Sequence, residues 1–344
     1  MNTKALRQKV LDLAIHGKLV PQNPNDESAT ILLEKIRAEK AEKIKKGELK
    51  ADKKDSFIFV GSDKRHYEQF ANGTVKDIED EIPFEVPEGW AWTKAKCLYN
   101  IRSAIRIHQT DWQSSGIPFF RGRELVELCK TGKVHPEIYI SEELYEQNKS
   151  KGGIPQKNDL LVSAVGTLGF VHIVEGTKKF YYKDAYILCF ENKFNLNPKY
   201  TKLVIESDYT QKVIYGGSKG TTVDQLTIEN AKELWIPFPP LSEQEKIVSQ
   251  VENVFLQINN LEQDKSDLQT IIKQTKSKIL DLAIHGKLVP QDPNDEPAEE
   301  LLKRIATSDN RPYEKVEEEP FEIPDSWKWI KLGKLCDYGK CVNV

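Results

Sequence analysis

Apolar residues recur at an average spacing of 3.5 along residues 242–289, a stretch with no proline and no glycine before Gly286. This pattern predicts one long helix with a coiled-coil seam. A capping box of Ser242 and Glu245 is predicted to begin the helix, and Gly286 to end it in a left-handed conformation. About 44 helical residues would make a rod of roughly 65 Å. The predicted seam comprises Ile247, Val251, Val254, Ile258, Leu261, Lys265, Leu268, Ile272, Thr275, Ile279 and Leu282.

The seam is narrow, and two of its positions are polar. A helix that packs on a globular core usually buries a wider face, and polar residues such as Lys265 and Thr275 at seam positions fix register and partner. We therefore expect a partner helix, from this chain or another. The alternative is a long amphipathic helix that lies on a single globular core.

An internal repeat organises the rest of the chain. Residues 11–27 recur at residues 280–296 with one asparagine replaced by aspartate, and residues 83–92 (PFEVPEGWAW) are echoed at 320–329 (PFEIPDSWKW). Residues 2–16 therefore correspond to the last turns of a second rod. The same kind of domain is predicted to begin after each copy.

These landmarks predict an α/β (α+β) domain followed by a long coiled-coil helix. Strands are expected near 137–140, 160–163, 169–174 and 186–190, and helices near 199–215 and 223–231. The predicted segments are an N-terminal helix (1–20), a helix and charged linker (21–82), a globular domain (83–240), the long helix (241–289), a linker with a short helix (290–319) and the start of an incomplete second domain (320–344).

Composition excludes several classes of protein. The 344 residues carry 50 Lys and Arg against 53 Asp and Glu, so the formal charge of −3 gives no bulk attraction for nucleic acid. The five cysteines lack CxxC spacing, and the polar N-terminus does not fit a signal peptide, which together predict a reducing, cytoplasmic location. No apolar run is long enough to span a membrane, so no membrane partner is expected.

Charge is nevertheless uneven within the globular domain. Residues 91–133 contain eight basic and three acidic residues, and residues 147–183 contain six lysines and two acids. Such stretches would attract phosphate and predict a DNA-binding face built from several loops. Ordinary scatter of surface charge is the alternative explanation.

No catalytic or metal-binding constellation is found. Asp184 and Glu191 resemble part of a metal-dependent nuclease site, but along one strand they would lie roughly 23 Å apart. Asn197–Tyr200 (NPKY) resembles a methyltransferase loop, yet no glycine-rich cofactor loop accompanies it, which favours a turn. The six histidines show no metal-ligand spacing.

Taken together, the motifs resemble those of the specificity (S) subunit of type I restriction–modification systems, which act in phage defence. The resemblance lies in IPFPPLSEQEKIV at 236–248, the long helix ending in GKLVPQ at 286–291, and PFEIPDSWKW at 320–329. Within the globular domain, residues 116–122 and 157–163 resemble the family's GIPFIR and GDILIS strands, which mark its scaffold.

The resemblance implies a non-catalytic subunit whose target recognition domain reads one half of a bipartite sequence in double-stranded DNA. Modification subunits would use S-adenosylmethionine, and a restriction subunit would use ATP and Mg²⁺, so this chain is expected to hold no cofactor. Phe119 and Phe120 are expected in the core. The DNA contacts predicted from charge and loop position are Arg121, Arg123, Lys130, Lys133, Lys178, Lys179, Lys219 and Thr221.

The chain departs from the family pattern because only one recognition domain and one rod are complete. One interpretation is a half-subunit that forms a homodimer, its rods antiparallel, and reads an inverted repeat. The other is a truncated or recombination-cassette remnant. A coiled-coil DNA-binding repressor is a third hypothesis.

Overall fold

The computed structural model describes residues 2–216, 224–309, 316 and 318–334. It has a mixed α/β architecture with one long helix. The helices are α1 Thr3–Ile15, α2 Ala29–Lys45, α3 Ala95–Leu98, α4 Gly122–Thr131, α5 Glu142–Ser150, α6 Pro198–Glu206, α7 Asp208–Gly216, α8 Ile228–Lys232, α9 Leu241–Ile284 and α10 Ala298–Asp309. The strands are β1 Ser56–Val60, β2 His66–Phe70, β3 Val75–Asp77, β4 Ala91–Lys94, β5 Asn100–Ser103, β6 Ile117–Phe120, β7 Tyr139–Ile140, β8 Leu160–Ser163, β9 Val171–Ile173, β10 Tyr181–Tyr182, β11 Ile187–Glu191 and β12 Trp235–Phe238.

A four-stranded antiparallel sheet, in the order β5-β11-β8-β9, forms the centre of the globular domain predicted at residues 83–240. Every residue of β8 and β11 is buried, so both faces of these strands are covered, and their sequences, LLVS and ILCFE, do not alternate between apolar and polar residues. A smaller sheet, β10-β6-β7, lies beside it, and β12 pairs with β4. Phe119 and Phe120 are buried in the core.

Local sequence explains the helix breaks. The predicted helix 199–215 is two helices, because the hydroxyl of Ser207 accepts a hydrogen bond from Thr210 N and donates one to Val204 O. Asn197 caps α6 by accepting from Lys199 N at 3.1 Å, with proline in the first turn where its missing N–H costs nothing. The NPKY segment is thus a helix start.

A three-stranded antiparallel sheet, β1-β2-β3, occupies part of the segment 21–82 that we predicted to be helix and charged linker. Buried charges connect this sheet to the globular domain. Glu68 of β2 accepts hydrogen bonds from Ser56 and, at 2.8 Å, from Lys94. Lys94 and Lys96 also reach Glu233, at 2.8 and 2.7 Å. The charges of the two lysines are therefore balanced by two acids, Glu68 of the three-stranded sheet and Glu233, which follows α8.

We expect Glu68→Gln to lower the free energy of unfolding at pH 7 by about 3 kcal/mol, because breaking a buried ion pair leaves charge uncompensated. Burial alone would raise the pKa of Glu68, but the hydrogen bonds from Lys94 and Ser56 outweigh it, so the pKa is lowered. Its contribution is complete above the unfolded-state pKa and is lost as pH falls below that value.

Urea unfolding measures this difference. The difference in unfolding free energy between the parent chain and Glu68→Gln should narrow as pH falls below about 4.5. The control Glu143→Gln, at an exposed site, should have the same unfolding free energy as the parent at every pH. An unfolding free energy for Glu68→Gln equal to that of the parent at pH 7 would contradict the role given to this ion cluster.

The long helix α9 begins at Leu241, the first residue of the predicted segment, but without the predicted N-cap. The amides of Glu243 and Gln244 donate to Pro240 O, both at 3.0 Å, so Ser242 lies inside the first turn and the Ser242–Glu245 capping box was the wrong start signal. The end is as predicted: Gly286 has φ +65°, and Lys287 N donates to Leu282 O at 2.8 Å.

The contacts of the chain divide it into two units, with the boundary between Ile258 and Asn259. In the first unit, the seam residues Ile247, Val251 and Ile258 are buried and Val254 is half-buried. In the second, Leu261, Lys265, Leu268, Ile272, Thr275 and Ile279 are exposed, and Leu282 is half-buried. The start of α9 therefore lies on a globular core, as the alternative interpretation has it, whereas the coiled-coil partner of the rest stays a prediction.

The internal repeat forms the same local structure twice. His16 stacks on Phe84 with ring centroids 3.9 Å apart, and His285 lies 4.2 Å from Phe321. In both copies a glutamine side chain donates to the carbonyl of the helix-ending glycine at 2.9 Å. We name these structures module 1 (residues 3–28 with 84–92) and module 2 (residues 272–297 with 321–329). Each copy forms its own contacts from its own residues.

Candidate nucleic-acid interface

Four loops of the globular domain meet at one edge of its sheets. Strands β5, β6, β8 and β10 end there, and β9 and β11 begin there. Lys183 N donates to Phe120 O at 2.8 Å, and Ala185 N to the Ser103 hydroxyl at 2.8 Å. We call this the loop edge and define it as residues 103–106, 121–123, 164–169 and 183–186. Loops held by rigid strands are common places for binding residues.

The loop edge presents exposed cations and an aromatic ring. The Arg106 side chain is 74% exposed, and its contact with Asp184 is long, at 3.9 Å. Lys183 Nζ lies 4.4 Å from the centroid of the Tyr186 ring, and Tyr186 is itself exposed. Cations that contact phosphate together with an aromatic ring that can stack on a base are a combination used by nucleic-acid-binding surfaces.

The turn that carries these side chains is strained. Ala185 has φ +61°, a conformation that residues other than glycine rarely adopt. The hydrogen bond from Ala185 N to Ser103, together with one from Tyr186 N to Asp184 O at 2.8 Å, holds it there. Strain of this kind is often found at functional sites.

Arg121 and Arg123, both predicted DNA contacts, lie at the loop edge but bind acids of their own chain. Glu124 is buried and accepts from Arg121 Nε at 3.1 Å and from Arg123 Nε at 2.8 Å. Burial alone would raise the pKa of Glu124, but these guanidinium groups lower it to about 2. Both arginines also reach Glu137. The cluster stabilises the start of α4, and only the exposed part of Arg123 is open to a ligand.

The other predicted contacts do not share one face. Lys130 Nζ lies 5.1 Å from the ring of Phe170, and Lys133 is exposed after α4. Lys178 and Lys179 lie in the β9–β10 connection, at the opposite edge of the sheet, where Lys179 pairs with Glu142 and Glu146. Lys219 and Thr221 lie outside the described residues.

Arg106 and Lys183 belong to the two basic stretches, but neither they nor Tyr186 were among the DNA contacts predicted from the sequence. Their positions depend on the pairing of β5 with β11, which joins Ser103 to Leu188, and of β6 with β10, which joins Phe120 to Tyr182. Charge alone does not reveal such distant pairs. One signal was present: the sequence KDAY at 183–186 leads directly into the strand predicted at 186–190 and contains a lysine and a tyrosine.

Within the described residues, no group of three or more His, Cys, Asp or Glu side chains is placed to hold a metal ion. Over the same residues, every helix is too short or too polar to cross a membrane.

Comparison with known proteins identifies the family. A family model described as the type I restriction modification DNA specificity domain matches residues 87–270. The EcoAI specificity subunit of Escherichia coli is 30% identical over 97% of this chain and 62% of its own length. The EcoEI specificity subunit of the same species is 28% identical over 96% of this chain and 61% of its own length. This chain thus spans about three fifths of these relatives.

Among solved structures, the HsdS subunit from Thermoanaerobacter tengcongensis is 18% identical, with a TM-score of 0.43 over 76% of this chain and 57% of that chain. A subunit from a structure of a type I R-M system is 19% identical, with a TM-score of 0.46 over 60% of this chain and 48% of that chain. The family match covers the recognition domain and more than half of α9. This chain therefore belongs to the family of type I restriction–modification DNA specificity subunits.

Proposed function

We propose that the recognition domain binds one half of a bipartite target in double-stranded DNA through the loop edge. The observation that supports this proposal best is the convergence of Arg106, Arg123, Lys183 and Tyr186 at one edge of the sheet, in a chain of a DNA specificity family. The cations would contact phosphates and fix the position of the domain on the duplex. Base edges would then be read by the neighbouring loops.

The proposal assigns no catalysis to this chain. Methyl transfer from S-adenosylmethionine would take place in modification subunits, and ATP- and Mg²⁺-dependent steps in a restriction subunit. This chain would hold those subunits through the exposed part of α9 and the GKLVPQ loops of the two modules. A homodimer would supply the second recognition domain that a bipartite target requires.

Selection of DNA from a randomised duplex library tests the recognition step. The purified chain should enrich a short motif at moderate salt, and the enrichment should fall as salt rises because phosphate contacts release counterions. A chain with Tyr186→Ala should retain its binding to random DNA while enriching the motif less. A library that shows no enrichment at any salt concentration would contradict sequence recognition by this domain.

A further inference from the structure

One carboxylate lies beside the cations of the loop edge. Phe119 N donates to Ile138 O at 2.9 Å, so the preceding residue of that strand pair, Glu137, lies opposite Phe120 at the end of β6. On the other side of β6, Lys183 N donates to Phe120 O at 2.8 Å. Neighbouring strands lie about 4.8 Å apart, which places the backbones of Glu137 and Lys183 about 10 Å from each other. A duplex bound at the loop edge would therefore meet this acid.

Two arginines hold the carboxylate of Glu137 in place. Arg121 Nη2 donates to its Oε2 at 3.2 Å, and Arg123 Nη2 donates to the same oxygen. Both guanidinium groups are anchored from below by the buried Glu124. The hydrogen bonds from Arg123 and Arg121 lower the pKa of Glu137, so its carboxylate is ionised at neutral pH. The acid thus presents a full negative charge in a defined position.

The other carboxylate oxygen, Oε1, is open to a ligand. The Glu137 side chain is 65% exposed, and both arginines bind its Oε2. No group in the described part of the chain donates to Oε1. An ionised carboxylate accepts hydrogen bonds but cannot donate them. A ligand at this position must therefore supply a hydrogen-bond donor.

Duplex DNA offers few donors of this kind. The phosphates carry negative charge and repel a carboxylate. In the major groove, which is wide enough to admit protein side chains, the donors are the amino groups of cytosine and adenine. The amino group of adenine lies beside the acceptor N7 of the same base, whereas cytosine presents its N4 amino group without such a neighbour. Cytosine is therefore the base that fits an ionised carboxylate.

We propose that Glu137 reads a cytosine of the DNA target, with Oε1 accepting a hydrogen bond from the N4 amino group. This inference rests on the proposed function, since it requires the loop edge to lie against the duplex, and it deepens that function by assigning one base to one residue. Arg121 and Arg123 are positioning residues in this contact, because they fix the carboxylate through Oε2. Thymine, which presents the acceptor O4, would be rejected.

The same carboxylate would weaken binding to other sequences. On a duplex without cytosine at this position, Glu137 would face phosphates and base acceptors with no donor to bind, which is an unfavourable contact that favours the correct target. Removing the charge should therefore have two opposite effects. Affinity for random DNA should rise, while the preference for cytosine at one position should be lost.

Selection from a randomised duplex library with the full-length chain tests this contact. The parent chain should enrich a motif with cytosine at one position. Glu137→Gln should keep the other positions and favour adenine at that one, because a glutamine amide pairs with N6 and N7 of adenine. Competition between two duplexes that differ only there, C·G against T·A, should give a preference of about tenfold for the parent and less than about twofold for Glu137→Gln.

Glu142→Gln is the matched control. The Glu142 side chain is also more than half exposed and also pairs with a cation, Lys179, but at the opposite edge of the domain. This variant should enrich the parent motif unchanged. Both substitutions replace an exposed carboxylate by an amide of the same size, and thermal unfolding checks that both variants are folded.

The outcomes separate this inference from the function on which it rests. A parent chain that enriches no motif contradicts the proposed function, and with it any base contact of Glu137. A parent motif that Glu137→Gln leaves intact overturns only the cytosine contact, and a uniform gain in affinity without a change of motif would show that Glu137 does no more than repel phosphate. Equal loss of the cytosine preference in Glu142→Gln would also overturn the proposal, because the effect would then come from net charge.

Discussion

Reversing the charge of Arg106 and Lys183 together should lower the affinity for duplex DNA by about tenfold or more. The slope of log affinity against log salt concentration should also become shallower, by the contribution of about two phosphate contacts. The reason is that both cations lie at the loop edge, where the ends of β5 and β10 bring them together. Each Glu substitution removes an attraction and adds a repulsion for phosphate. The measurement is fluorescence anisotropy with a labelled duplex at several salt concentrations.

The opposite edge of the same domain offers a matched control. Lys178→Glu with Lys179→Glu makes the same change in net charge, but at the β9–β10 connection. We expect this pair to change DNA affinity by less than about threefold, through long-range electrostatics alone. Thermal unfolding of both variants checks that the fold is kept. If the Lys178 and Lys179 pair loses more affinity than the Arg106 and Lys183 pair, the DNA-binding face is at the other edge.

A charge placed in α9 should have opposite consequences on the two sides of Ile258. Ile247 is fully buried in the core of the first unit, so Ile247→Asp should cost about 4 kcal/mol or more and unfold that unit. Leu261 and Leu268 are more than half exposed, so Leu261→Asp with Leu268→Asp should change the free energy of unfolding by about 0.5 kcal/mol per site or less.

The Leu261→Asp and Leu268→Asp pair should instead weaken the association of α9 with a partner helix. If Leu261 and Leu268 belong to a coiled-coil seam, their aspartate variants should lose assembly and show a smaller hydrodynamic size at equal concentration. Sedimentation velocity measures this directly, with the exposed Gln274→Asp as the control for added charge. Assembly and size equal to those of the parent would show that the predicted seam has no partner helix.

The features predicted correctly from the sequence are those that depend on residues close together in the chain. The long helix follows from its apolar spacing and its glycine stop. Phe119 and Phe120 are both buried, as predicted, in two different apolar clusters, because neighbouring residues of a strand point to opposite faces. The repeat correctly predicted two copies of one local structure. Each of these depends on residues close together in the chain, so propensity and periodicity suffice.

The features that were missed depend on distant partners. The sheet β1-β2-β3 lies in a highly charged stretch, and it is linked to the recognition domain by Glu68, whose partners Lys94 and Lys96 are more than 20 residues away. The start of α9 is fixed by Pro240 O and by Glu243 binding Gln22 and Trp90, which made Ser242 a misleading cap. The basic residues divide between two edges because strand order, which local charge does not encode, decides where each loop lies.

The most direct test of the central claim is the methylome of a methylation-free host that expresses this chain with its neighbouring modification subunit, read by single-molecule sequencing. We predict a methylated bipartite motif that requires this chain and is lost with Arg106→Glu and Lys183→Glu. An inverted repeat would further support the homodimer, and an asymmetric motif would place the second recognition domain on another chain. A genome without any methylated motif, although both proteins are soluble, would contradict DNA recognition by this chain and favour a remnant.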